Sequence, residues 1–265
     1  MYAFDYHKPR SLAEAAELLS THPEARLLAG GMTLLPTLKN RLASVAALID
    51  LSALPDLKEI REGAGTLTIG ALVRHVDVAR SPLVRSRIPA LAALAGSIGD
   101  PAVRHRGTLG GSLANNDPAA DYPAAALGLG ATVVTDRREI VSDDFFSGMF
   151  ETALESDELI IAVRFPVPRR AGYAKLRSPA SRYPIIGVFV AETVSGVRVA
   201  MTGAGQGVVR VAEFERALTA SFAPEAVSSV RLSPSGFSSD LHAEAAYRAH
   251  LASVMAARAV ADILA

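Results

Sequence analysis

The chain has 265 residues, half of them hydrophobic and a fifth charged, a composition that suits a globular protein of one large domain or two to three small ones. Lysine plus arginine equals aspartate plus glutamate at 27 each, so no net field draws the chain to nucleic acid or to an anionic membrane. With no cysteine it can form neither a disulfide nor an iron–sulfur cluster on its own thiolates, and it carries no thiol nucleophile.

The N-terminal MYAFDYHKPRS lacks the apolar core of a secretory signal, and no apolar run approaches the ~20 residues that span a bilayer. The expected location is the cytoplasm. Ser11-Leu-Ala-Glu14 has the form of a capping box, and Leu12, Ala15, Ala16 and Leu19 follow helical spacing, which predicts a helix over about 11–20. ARLLAGG reads as a strand ending in a glycine pair. MTLLPTLKNRL reads as a helix that tolerates Pro36 only in its first turn, and AALIDL as the next strand. Strand, helix and strand so close together predict a small parallel unit over 1–56.

From residue 57 the pattern changes. LKEIREGAGTLTIGAL predicts a hairpin turned at Gly63-Ala64-Gly65, and RHVDVAR and PLVRSRIPALAALAGSIG predict helices. A helix is expected to begin near Pro118 and continue through AAALGLG. ATVVTDRREIV predicts a hairpin around Asp136-Arg137, and ELIIAVRFPVP a strand closed by prolines. The proline, charge and glycine of PVPRRAG mark a boundary, placing a second unit at 57–168 and a third at 169–265. In the third, YAKLRS, IIGVFVAETV and VRVAMTG read as strands, the last two joined at Ser195-Gly196. Helices follow, ending in a long one over 242–264.

Two glycine motifs carry the functional signal. LAGGMT (28–33) follows a strand, and TLGGS (108–112) stands in a polar stretch between apolar segments. Glycine lets the backbone approach a ligand and lets successive N–H groups point the same way, so each motif could form an anion-binding nest. Each could equally be an ordinary turn. Neither is a Walker loop or the dinucleotide fingerprint G-x-G-x-x-G, and Gly203-Ala-Gly205-Gln-Gly207 leaves a strand as a loop. Asn115, Asn116, Asp117 and Asp121 follow the second motif. Asp117 suits a helix cap, whereas Asp121, expected one turn into that helix, could accept from a ribose hydroxyl or a ring N–H. Arg104-His105-Arg106 could raise the local potential or could be a solvated turn. The histidines are scattered, no ligand spacing suggests a metal, and no nucleophile–base array stands out.

LLAGGMTLLP, GTLGGSLANNDPAADYPAA and YAKLRSPASRYPIIGV together resemble the FAD-binding medium subunit of the molybdenum hydroxylases, the group of aerobic carbon monoxide dehydrogenase and xanthine dehydrogenase. The resemblance covers almost the whole chain. It implies an α+β fold of the PCMH, or vanillyl-alcohol-oxidase-like, type: two α/β subdomains that clasp FAD, then a small α+β C-terminal domain. It implies that Ala29, Gly30, Gly31, Met32 and Thr33 form one pyrophosphate-binding motif, and Thr108, Leu109, Gly110, Gly111 and Ser112 the other. By the same likeness Asp121 and Lys175 contact FAD, Tyr183 lies against the isoalloxazine, and the strand at Leu159 and Ile160 lines the flavin. The chain departs from many relatives at Arg182, where they carry an acidic residue, and in the Pro184 that follows Tyr183.

The implied function is electron transfer. A large partner chain holds the molybdenum cofactor, a small one carries two [2Fe–2S] clusters, and electrons pass through FAD to an acceptor, the three chains pairing as a dimer of heterotrimers. No catalytic acid or base is then needed from this chain, because a flavin carries its own redox chemistry. Two rival readings stand beside this one. The first is a self-contained FAD-dependent oxidoreductase acting on a small alcohol or a nucleotide sugar. The second is a binding module with a degenerate cofactor site.

Overall fold

A computed structural model describes residues 1–265, and the chain is laid down as three main sheets in succession. The first comprises β1 (Asp5–His7), β2 (Ala25–Leu28) and β3 (Ala47–Asp50), all parallel in the order β1-β3-β2, with α1 (Leu12–Thr21) and α2 (Leu34–Lys39) as connections. The Ser11 hydroxyl caps α1 by accepting from the Glu14 amide, while the Glu14 carboxylate accepts from the Arg10 amide. Pro36 is the third residue of α2, inside the first turn where its missing N–H breaks no helical bond. The sequence reading omitted β1, which is three residues long and mostly exposed. It is held by pairing to β3 and by a Tyr6 hydroxyl that donates to Asp50 at 2.5 Å.

The second sheet is antiparallel. It is built from β4 (Ile60–Gly63) and β5 (Thr66–Gly70), then β6 (Thr132–Thr135) and β7 (Glu139–Val141), with a small separate hairpin of β8 (Phe146–Gly148) and β9 (Glu151–Thr152) before β10 (Ile160–Pro166). The order is β4-β5-β10-β6-β7. Ala64 and Gly65 both have positive φ, the signature of a type I′ turn that matches the strand twist. Between β5 and β6 run α3 (His75–Arg80), α4 (Pro82–Arg87), α5 (Pro89–Ser97), α6 (Pro101–Arg106), α7 (Leu109–Asn115) and α8 (Tyr122–Leu129). The stretch 82–99 is thus two helices, broken at Ile88, because Pro89 drives the residue before it out of the helical region. The Arg104-His105-Arg106 turn is the end of a helix capped by Asp100. The helix expected from Pro118 starts at Tyr122, with residues 117–120 forming an Asx turn in which Asp117 accepts from the Ala119 amide.

After the short α9 (Ser142–Phe145), which precedes β8, and after β10, the third sheet takes over: β11 (Arg170–Arg177), β12 (Pro184–Thr193), β13 (Gly196–Thr202) and β14 (Val209–Arg210), antiparallel and in that order. It is followed by α10 (Ala212–Ala220), α11 (Pro224–Ser228) and α12 (Ala245–Leu264). His242 lies ahead of α12 rather than on it. β12 reads as a nearly continuous apolar run because both its faces are buried. Ile186, Val188 and Val190 enter the core under α12, while Phe189 and Ala191 enter the core around α5 and α8. Gly128 of α8 allows this approach, since a Cβ there would stand 2.9 Å from the Phe189 ring.

Glu158 locks the turn of the β6–β7 hairpin to the segment entering β10. Its carboxylate accepts from the Arg138 guanidinium at 2.8 and 2.9 Å, from Thr135 Oγ1 at 2.7 Å and from the Glu155 amide at 2.9 Å. The Arg138 hydrogen bonds, helped by the Glu155 amide and Thr135 and opposed by burial, hold its carboxyl down at about 2. A depressed carboxylate stabilises the fold above its unfolded value and loses that contribution as pH falls towards the folded one. The melting-temperature gap between wild type and Glu158→Gln is therefore expected to be widest at neutral pH and to narrow as pH drops from about 4.5 to about 2. Thermal melts across that range check it.

Candidate functional site

Both glycine motifs face one cleft of about 930 Å³, near the upper end of the ~300–1,000 Å³ usual for ligand sites. Its walls come from widely separated segments between Leu19 and Tyr183, among them the β2–α2 loop, the α6–α7 region, the start of α8, the tip of the β8–β9 hairpin, the start of β10 and the loop before β12. Ala29, Gly30, Gly31, Met32, Thr33, Thr108, Gly110, Gly111, Ser112, Asp121, Ile160 and Tyr183 all line it.

The first motif presses its main chain on the turn just ahead of the second. A Cβ on Gly30 would lie 2.0 Å from the Arg106 carbonyl oxygen and 2.8 Å from Gly107 Cα, while one on Gly111 would come within 3.7 Å of Ala29 Cβ. They differ in what their amides do. No protein acceptor takes the N–H of Gly30, Gly31, Met32, Thr33 or Leu34, and Gly31 holds the bend at φ +71°. Five consecutive donors are thus left for a ligand, and the Thr33 hydroxyl caps nothing.

The second motif offers fewer free amides. Thr108 is the N-cap of α7 and its own N–H has no protein acceptor, but the four amides after it are spent inside the protein: Leu109 N–H on the Val73 carbonyl, Gly110 N–H on the Ala71 carbonyl, Gly111 N–H on Thr108 Oγ1 and Ser112 N–H on the Thr108 carbonyl. Glycine at 110 serves close approach instead, because a Cβ would stand 2.6 Å from that of Ala71. Leu109 does not reach the cleft; its side chain is fully buried in the core beneath, as is Leu159. What α7 offers the cleft is the Ser112 hydroxyl and the Asn115 carboxamide, neither engaged by the protein. Asn116, beside it, is structural. It closes α7 in the left-handed region, and its Nδ2 donates to the Gly148 and Glu151 carbonyls, pinning the hairpin that brings Phe150 to the cleft.

Lys175 also lies outside the lining. Its ammonium is 2.7 Å from Asp121 Oδ1 and donates to the Ser97 and Arg182 carbonyls, leaving no donor to spare. Tyr173 donates to the same Oδ1 at 2.7 Å, so Asp121 keeps Oδ2 free of any protein hydrogen bond. Asp121 stands at the N-cap position of α8, not one turn inside, and does not cap it. Burial pushes its carboxyl up while Lys175 and Tyr173 pull against that push. Burial and then Asp121 drive the Tyr173 phenol well above its ordinary value. Tyr183, about half-exposed, forms a rim of the cleft. Burial, then Asp117 and Asp121, raise its phenol too. Sequence reading missed the β8–β9 tip and His75, which lines the wall behind Gly107; nothing in their local pattern marked them.

Residues 2–168 match the family described as FAD binding domain in molybdopterin dehydrogenase. The chain belongs to this family. It is 38% identical over 220 residues to the carbon monoxide dehydrogenase medium chain of Hydrogenophaga pseudoflava, covering 78% of this chain and 77% of that one. It is 35% identical to the nicotine 6-hydroxylase medium subunit of Paenarthrobacter nicotinovorans over 98% of this chain and 97% of the other. Among solved structures it matches a chain of the reconstituted CO dehydrogenase from Oligotropha carboxidovorans with a TM-score of 0.93 at 32% identity, covering 99% and 98% of the two chains. The fold is therefore that of the FAD-binding medium subunits, α+β and consistent with the PCMH type. The residues of the cleft fit such a cofactor: unspent amides for a diphosphate, a free carboxylate oxygen for hydroxyls or a ring N–H, and an apolar stretch at Ile160.

Two outcomes follow. Gly30→Ala is expected to force the two motifs apart, costing about 1–3 kcal/mol of stability as overpacking, and to weaken flavin binding; denaturation and flavin titration read both. Lys175→Met is expected to cost about 3–5 kcal/mol by stranding the buried Asp121 charge, with Lys175→Met/Asp121→Asn recovering much of the loss. Denaturant unfolding of the single and double variants measures it.

Proposed function

We propose that this chain is the FAD-binding, electron-transfer medium subunit of a multi-subunit molybdenum hydroxylase. The observation that carries the reading is the run of five free amides from Gly30 to Leu34 on a cleft large enough for a dinucleotide, in a chain of this family. A hydrogen bond to a charged group is worth roughly 1.5–3 kcal/mol, so a few of these donors hold a diphosphate without a lysine. Ser112 and Asn115 add donors from α7, Asp121 Oδ2 accepts from the cofactor, Ile160 supplies apolar wall and Tyr183 shields the rim.

Bound FAD supplies the exchange between one-electron and two-electron chemistry. The chain's residues bind and orient it, and Lys175 and Tyr173 hold Asp121 in place through one of its carboxylate oxygens. Clusters must come from another polypeptide, because this one has no cysteine. The partners are a large chain with the molybdenum cofactor, where substrate is oxidised, and a small chain with [2Fe–2S] clusters. No helix is long and apolar enough to cross a membrane, which accords with a cytoplasmic complex.

The purified chain is expected to take up FAD stoichiometrically, seen as flavin absorbance, and to be reduced by a chemical reductant. Alone it is expected to oxidise neither small alcohols nor nucleotide sugars. Efficient turnover of such a substrate without partner chains would overturn the subunit reading.

A further inference from the structure

One polar side chain in the cleft wall is left without a task. His75 opens α3, is 5% exposed and lines the cleft. No protein group bonds either ring nitrogen. Nδ1 is sealed without a partner, so Nε2 is the nitrogen left open. Gly107 lets the ring in, since a Cβ there would stand 2.4 Å from His75 Nε2, and Gly107 is the residue against which Gly30 is pressed. Nε2 therefore lies against Gly107, just ahead of the second motif and at the residue on which Gly30 of the first loop is pressed, in the wall of the same cleft.

The ring's protonation follows from its surroundings. A sealed N–H without an acceptor costs more than a sealed lone pair, which puts the proton on Nε2, facing the cleft. Burial, then the Arg104 charge, hold the imidazole at about 4, so it is neutral at neutral pH. The fully buried Tyr122 packs against the ring at 5.3 Å between centroids and helps fix its orientation.

We propose that His75 is a cofactor-binding residue, donating from Nε2 to an oxygen of the dinucleotide where the first glycine loop meets Gly107. This rests on the FAD reading above. It adds to the first loop's amides a donor that carries no charge and loses no torsional freedom on binding.

The test uses the full chain stripped of flavin and titrated with FAD, binding being read by flavin fluorescence. His75→Leu is expected to raise Kd roughly tenfold, the worth of one well-made neutral hydrogen bond. His75→Gln, which can place an amide near the Nε2 position, is expected to recover most of the affinity, and His75→Asn, matching Nδ1, to recover little. In wild type, nitrogen NMR is expected to show the proton on Nε2 and that signal moving when FAD is added. A Leu variant that binds like wild type, or an Nε2 signal that FAD leaves unmoved, overturns the proposal. If the Leu variant does not fold, the wild-type NMR decides alone. A wild-type chain that takes up no FAD overturns the functional reading and this inference together. Normal wild-type binding with indifferent variants overturns only the role of His75.

Discussion

The architecture of the site depends on a contact between two stretches of bare main chain. Gly30 is pressed so closely on Arg106 and Gly107 that no side chain fits between them. That approach seats the β2–α2 loop with its amides free of protein acceptors and on the same cleft as the start of α7. The contact joins the first sheet to the helices above the second, so the cofactor cleft is a seam between parts of the chain rather than a hollow within one. Glycine appears on both sides of the seam for different reasons. At 31 it supplies a positive φ; at 30, 107 and 110 it supplies room.

The third sheet is tied to that seam from behind. Lys175 and the part-buried Tyr173 on β11 converge on one oxygen of Asp121 at the head of α8, with the Lys175 and Asp121 side chains nearly inaccessible to solvent. A buried ion pair of this kind contributes little net stability compared with an apolar replacement, but removing one partner is costly. Its use here is geometric: it fixes the carboxylate, leaves one oxygen for the cleft, and sets the loop carrying Tyr183 against the opening, with Lys175 also reaching the Arg182 carbonyl.

Much of this was legible in the sequence. Strand and helix periods gave most of the regular elements after residue 10, though not α6, α7, α9, the β8–β9 hairpin or β14, and the proline-rich turn after β10 stands where one sheet ends and the next begins. The two glycine motifs were legible as places where backbone meets something closely. What they meet was not. The amides of Leu109 and Gly110 are spent on Val73 and Ala71, residues far off in sequence, and no local pattern encodes such a pairing. Lys175 was readable as a charge near the site, but its burial beside Asp121 is a product of the β11–α8 packing. His75 in RHVDVAR looked like any helical histidine until Gly107 placed the ring against the seam.

The central claim is that the unspent amides of the first loop hold the dinucleotide, while the Leu109 and Gly110 amides of the second motif serve the protein's own packing. Proton–nitrogen correlation spectra of the labelled chain, recorded as FAD is added, test this most directly. The account predicts large downfield shifts for the amides within Gly30–Leu34 and little change for Leu109 and Gly110, whose protons already sit on protein carbonyls. Large shifts at Leu109 and Gly110 with an unmoved first loop would contradict it.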